Sequence, residues 1–409
     1  MLKILAVLSA VALGLSGCSA APKERGAPGT AATPWPDDGP PAQPRQIFAS
    51  ARDALYASPA GGDAACARDS PCTLTEALSR AESGGTVALL DGDYGKLVIS
   101  AIDALDRMDG HVSIMPAEGS SPVIGSLDLR SPNTAWKGIR FTGALMIRGF
   151  APNTELNGIH VDGAGVFVRA KNVVVRDSLL ENGVSTDGIQ VGQAEAVLIE
   201  GNRIRNYAQK DAGGFHADCI QMFDSRDITI RGNILSNCYN ASLIFSPGKG
   251  DGTHNVLIES NFVQGCPELN DVCRGGVTLD MRSTDENTGI TVRNNTFVDG
   301  AVRAGTLPDS VFDRNYVEYL SSCDTPMTNS VVVAWNKGLC GTPTSLDKAG
   351  NRHGSAEFIN RAAADLRVKD LSAVRVTPVP GTEPAAADLF GNPLAPDTVG
   401  ASSPPISNR

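Results

Sequence analysis

The sequence predicts an all-β solenoid of stacked coils, and three observations carry that expectation. First, the stretch from 173 to 319 repeats one short phrase: VVVRDSLLEN (173–182), VLIEGNRIRN (197–206), ITIRGNILSN (228–237), VLIESNFVQG (256–265), ITVRNNTFVD (290–299) and SVFDRNYVEY (310–319). Second, successive copies start 24, 31, 28, 34 and 20 residues apart with no helical pattern between them, a period that belongs to coils one or two strands long with loops of variable length. Third, an asparagine follows the strand in five copies, as Asn202, Asn233, Asn261, Asn295 and Asn315, with Ser178 in its place in the first.

The physical reason is burial. Pairs such as Val197 and Ile199, Ile228 and Ile230, or Val256 and Ile258 lie two apart and share one face of a strand. One such strand cannot bury its face alone, whereas stacked copies make a continuous apolar interior. The asparagine then falls at a turn, where it tolerates left-handed backbone, and stacked turns align the amides into a ladder.

Taken in order, residues 1–17 have a charged Lys3, an apolar run from Ile4 to Leu15 and small residues after it, the pattern of a secretory signal. Leu15-Ser16-Gly17-Cys18 resembles the lipobox of bacterial lipoproteins. That resemblance implies cleavage before Cys18, lipidation of Cys18 and a membrane anchor. Ser19 is similar to the outer-membrane sorting residue of a Gram-negative cell envelope. Residues 18–46 are rich in Pro, Ala and Gly and read as a tether that builds no core. The solenoid is expected over 47–401, with a disordered tail over 402–409.

Composition narrows the partners. Aromatic residues are 5% of the chain, glycines number 43 and the formal net charge is −10. Such acidity argues against a nucleic-acid partner. It also counts against a strongly polyanionic substrate, although a local basic groove could still serve. Setting Cys18 aside leaves eight of nine cysteines, an even number suited to an oxidising compartment. Proximity suggests Cys66–Cys72, Cys266–Cys273 and Cys323–Cys340, which leaves Cys219 with Cys238 on adjacent coils.

Thr73 and Glu76 have capping-box spacing for a helix running to about Ala81 and closed by Gly84-Gly85, before a first strand at Thr86–Leu90. That helix would plug the open end of the solenoid. The run 56–95 resembles the amino-terminal segment of secreted right-handed, single-stranded parallel β-helix proteins, the pectate-lyase-like, carbohydrate-active superfamily. Segments 364–376 and 388–401 resemble their closing segment. Early coils are expected at 111–117, 134–143 and 155–163.

Chemistry is expected where polar residues interrupt the pattern. Two consecutive coils open with Thr186-Asp187-Gly188-Ile189-Gln190 and Ala217-Asp218-Cys219-Ile220-Gln221, and His216 precedes the second. Stacking Ile189 on Ile220 would pair Gln190 with Gln221 outside and Asp187 with Asp218 at the strand entrance. A loop from Tyr207 to Phe215 would wall this cluster. A neutral His216 can act as a base near neutral pH, oriented by a carboxylate. Gln190 and Gln221 would hold sugar hydroxyls, and the paired carboxylates could instead share calcium. Lys249, Arg274, Asp280 and Arg282 on following coils extend the candidate strip, with cations there neutralising a uronate carboxylate.

The two aspartate phrases are similar to those of polygalacturonase-type glycoside hydrolases, which read TDG then DDC. Here Ala217 replaces one aspartate, and the Gly-His-Gly and Arg-Ile-Lys motifs are absent, so hydrolysis by paired carboxylates is disfavoured. The leading expectation is a lipid-anchored polysaccharide lyase, or an epimerase sharing its first step. A glycan-binding or export-accessory lipoprotein and a purely structural solenoid are the alternatives. Plugged ends argue for a monomer.

Overall fold

The computed structural model describes residues 47–49, 54–62, 65–210, 216–270, 273–281, 286–305, 307–322, 325–341, 346 and 349–402. Every described residue belongs to one compact unit within Pro34–Arg409. Cys18 and the tether lie outside the described residues.

Each coil contributes up to three short strands, and strands at equivalent places pair in parallel with the coil above and below. The first face is a 12-stranded sheet from Ala54–Gly62 to Met327–Thr328. It contains the expected repeat in the expected register: Val173, Val197, Ile228, Val256 and Ile290 align, as do Val175, Ile199, Ile230, Ile258 and Val292. All ten are buried. The second and third faces merge into one 19-stranded sheet because the strand Thr296–Ala304 bends across both. The third face carries the site, through Leu145–Ile147, Val166–Val168, Ile189–Gly192, Ile220–Phe223, Leu243–Phe245 and Val277–Met281.

The asparagines form the expected ladder at the corner between the first two faces. Each Nδ2 donates to the next Oδ1: Asn202 to Asn233 at 3.0 Å, Asn233 to Asn261 at 3.0 Å, Asn261 to Asn295 at 2.9 Å and Asn295 to Asn315 at 3.1 Å. Ser178 donates its backbone N–H to Asn202 Oδ1, and Ser330 Oγ accepts from the backbone N–H of Asn315. Every rung is fully buried, so the ladder also satisfies turn amides that would otherwise be stranded.

The helix Leu74–Arg80 starts where expected, with Thr73 Oγ1 accepting from the Glu76 N–H at 3.2 Å, and it buries Leu74, Ala77 and Leu78 over the first coils. The disulfides Cys66–Cys72, Cys219–Cys238 and Cys266–Cys273 are present. Cys340 is disulfide-bonded, and Cys323 lies outside the described residues.

The carboxyl-terminal segment is not another coil. Its antiparallel pair Phe358–Asn360 and Asp365–Val368 and the chain to Ala401 run back along the outside of the second face. There they cover Ile234, Phe262, Val298, Tyr316 and Val331, which point outward because their neighbours Leu235, Val263, Phe297, Val317 and Val332 fill the interior. Arg314, fully buried, fastens this segment by donating to Pro396 O at 2.8 Å and to Thr382 O at 3.0 Å, beside its ion pair with Asp313.

Candidate functional site

Stacking of Ile189 on Ile220 brings the two polar phrases side by side, as their matched sequence implies. Asp187 Oδ1 accepts from the backbone N–H of Asp218 at 3.0 Å, and its Oδ2 accepts from Gln190 Nε2 at 3.0 Å. Asp218 Oδ1 accepts from the Ala241 N–H at 2.9 Å, one coil further on. Its Oδ2 is buried without a hydrogen-bond partner and stands 3.6 Å from His216 Nδ1. That separation is an ion-pair contact, too long for a hydrogen bond. The His216 side chain is 51% exposed and Asp218 fully buried. A buried carboxylate therefore backs a solvent-facing imidazole and leaves Nε2 turned away from it. The Cys219–Cys238 disulfide, adjacent to Asp218, ties this coil to the next.

The electrostatics follow from burial. Loss of water pushes Asp218 up to about 6, helped by the neighbouring Asp187 and opposed by His216. Asp187 is raised for the same reason, burial first. His216 is raised above the usual imidazole range, chiefly by the Asp218 carboxylate. The two carboxylates and the imidazole thus titrate as one coupled group, burial raising both carboxyls and the Asp218 carboxylate raising the imidazole.

Gln190 and Gln221 are neighbours, as expected, but in a bonded relay. Gln190 Nε2 donates to Gln221 Oε1 at 2.7 Å, and Gln221 Nε2 donates to Ser246 Oγ at 3.0 Å. Gln221 is buried, so it positions Gln190 more than it offers itself to solvent. Asp280 lies on the same column, opposite Ile244, and is buried 3.7 Å from Arg303. Lys249 is exposed on a turn whose backbone is fixed by Asp224, which accepts from the Lys249 and Asp251 N–H groups. Arg274 is exposed at the approach to Val277–Met281. Arg282 and residues 211–215 lie outside the described residues. Tyr207 corrects the expected loop boundary: it closes the strand Arg203–Tyr207, fully buried, with its hydroxyl donated to Ala164 O at 2.7 Å.

Calcium does not fit this donor set. It takes about six to eight oxygens, whereas the two aspartates leave only Asp218 Oδ2 unbonded. Among the described residues no group of three or more His, Cys, Asp or Glu side chains is arranged to hold a metal ion.

Sequence reading missed Arg169. Its guanidinium donates to Val168 O at 2.9 Å, to Gln190 O at 3.2 Å and to Gln190 Oε1, and burial lowers its pKa. It also lies 5.3 Å from the Phe223 ring centroid two coils on. Gly192 on the intervening coil allows this reach, since a Cβ there would stand 2.2 Å from the Phe223 ring. The signal was in the sequence: Leu127-Asp-Leu-Arg130, Leu145-Met-Ile-Arg148 and Val166-Phe-Val-Arg169 repeat at coil spacing. It precedes the stretch where the asparagine repeat draws attention.

Residues 151–338 match the family described as "Right handed beta helix region". No curated protein sequence matches significantly. Similar solved structures include pectate lyase Pel9A, with a TM-score of 0.48 and 10% identity over 86% of this chain and 96% of that one. An alginate lyase from Paenibacillus sp. str. FPU-7 gives 0.33 and 12% over 69% and 94%. A PL6 family alginate lyase gives 0.39 and 12% over 87% and 59%. The repeats, their parallel register and the family match establish the fold as an all-β, right-handed parallel β-helix.

Proposed function

We propose that the protein is a carbohydrate-active enzyme of the cell envelope, held there by a lipid on Cys18, which cleaves an acidic polysaccharide by β-elimination. The observation that carries the reading is the exposed His216 imidazole backed by the buried, unbonded Oδ2 of Asp218. Nε2 takes the proton α to a uronate carboxylate. The electron pair of that C–H bond becomes the new C=C as the bond to the leaving glycosidic oxygen breaks. Asp218 stabilises the imidazolium, which returns its proton to solvent while the leaving oxygen takes one from water. Gln190 gives both Nε2 hydrogens to Asp187 and Gln221, which leaves its Oε1, already bonded by Arg169, one lone pair to accept from a ring hydroxyl. An epimerase would share the first step and return the proton to the opposite face. The lipid anchor is supported by Leu15-Ser16-Gly17-Cys18.

The test is ultraviolet absorbance of unsaturated sugar ends, followed on a panel of uronic-acid polysaccharides. Wild type should produce a rise, and His216→Ala should slow it by about 10²–10⁴-fold, the usual worth of a positioned base. No rise on any polymer, with inverted carbon centres by NMR, would convert the reading to epimerisation. Neither product, with retarded migration in a glycan-affinity gel, would make the protein a binding module.

A further inference from the structure

We infer that Arg130, Arg148 and Arg169 form an anion-binding strip, one guanidinium per coil, that holds successive carboxylate or sulfate groups of a glycan running from the His216 cluster toward the amino-terminal coils. The strands place them. Leu129, Ile147 and Val168 stack in register inside, so the arginine that follows each leaves the same edge of the third face. Neighbouring coils are about 4.8 Å apart, a spacing close to that of consecutive sugars in an extended chain.

Charge accounting separates this strip from ordinary surface ion pairs. On the first face the outward charges cancel in register: Glu200, Arg231, Glu259 and Arg293 alternate, and Arg231–Glu200 and Arg293–Glu259 are bonded at 2.5 and 2.8 Å. On the third face one carboxylate serves two arginines. Asp128 accepts from Arg130 at 2.8 Å and from Arg148 at 2.9 and 3.2 Å, and chiefly the Arg148 hydrogen bond holds its carboxyl well below the usual range. Arg169 bonds backbone carbonyls and an amide, with the Asp187 carboxylate nearby but already bonded to Gln190 and Asp218. The strip therefore carries surplus positive charge in a chain whose formal net charge is −10. The side chains of Arg130 and Arg148 are 48% and 44% exposed, so their remaining N–H groups can reach a ligand. Asp128 fixes their direction in advance, which lowers the ordering cost of binding. Phe150, 79% exposed just beyond Arg148, offers an apolar ring to a sugar face.

This inference rests on the acidic-glycan reading above, so its test separates the two. Binding of the full-length His216→Ala protein would be measured against polygalacturonate, dextran sulfate and neutral dextran at several salt concentrations. Adding Arg130→Ala with Arg148→Ala, or Arg169→Gln alone, should weaken binding of a polyanion by roughly tenfold or more and flatten its salt dependence. Loss on polygalacturonate assigns the strip to carboxylates, and loss confined to dextran sulfate assigns it to sulfates. Arg140→Ala, an equally exposed arginine paired with Asp162 on the second face, should leave binding unchanged. The inference is overturned if the strip variants bind both polyanions as the parent does, or if Arg140→Ala loses as much. Strip-dependent binding without turnover by wild type would sink the lyase reading alone. Turnover with an unchanged KM when the same arginine substitutions are made with His216 intact would sink the strip alone.

Discussion

At the scale of single residues, the buried carboxylate behind His216 makes two linked predictions. Burial gives Asp218 a folded-state value of about 6, above its ordinary 3.8. The folded protein therefore binds a proton more readily than the unfolded chain does between those values. Stability contributed by the protonated form is present at low pH and is lost as pH rises through about 6. Asp218→Asn should remove that loss, and thermal melts at pH 4 and pH 8 should differ less than in wild type by on the order of 2–3 kcal/mol. Activity responds with its own sign. The Asp218 carboxylate raises His216, so Asp218→Asn should move the acidic limb of the rate profile to lower pH while reducing the maximal rate. A rate profile that keeps its acidic limb would assign that limb to a group other than His216.

At the scale of elements, the turn columns explain why small polar changes should be felt so strongly. Asn233 Nδ2 donates to Ile199 O, Arg231 O and Asn261 Oδ1, while its Oδ1 accepts from the Asn202 backbone N–H and Nδ2. Asn233→Ala strands several buried groups at once, at about 1–3 kcal/mol each, and should lower stability by roughly 3–5 kcal/mol in a denaturant titration. A second column predicts the opposite outcome. Asn133, Asn153, Asn172, Ala196, Asp227 and Asn255 all sit at φ between 53° and 58°, immediately before or as the second residue of a first-face strand. Asn172 Nδ2 bonds Asn153 Oδ1 and Asn153 Nδ2 bonds Asn133 Oδ1, and Ala196 breaks the row. Alanine is costly in left-handed backbone, so Ala196→Asn should stabilise the protein by about 1 kcal/mol and raise Tm.

At the scale of the whole molecule, the carboxyl-terminal segment acts as a covering for the second face. Arg314 is the point at which that covering is pinned, being fully buried with carbonyl partners in the tail and Asp313 on its own coil. Arg314→Ala removes the pin and leaves Asp313 buried without its cation, and a change of that kind costs about 3–5 kcal/mol. Limited proteolysis should then cut within 355–401 faster than in wild type. The exposed Ile234, Phe262, Tyr316 and Val331 should bind a hydrophobic dye. Unchanged proteolysis would show that the apolar contacts alone hold the segment.

The amino-acid order alone determined the coils, the asparagine ladder, the helical plug and the pairing of Asp187 with Asp218. Each of these depends on spacing along the chain, and stacking in register turns equal spacing into contact. It also signalled the arginine strip, although only an alignment of the early coils makes that signal visible. The tertiary structure decided what depends on the environment across coils. Burial makes Asp218 a weak acid, Gln221 a support rather than a free sugar ligand, and Arg314 a clasp. Outward residues such as Phe262 and Val298 read as solvent-side positions until a distant segment covers them. Solvent access and local dielectric are set by which chain passes overhead, and no local pattern records that.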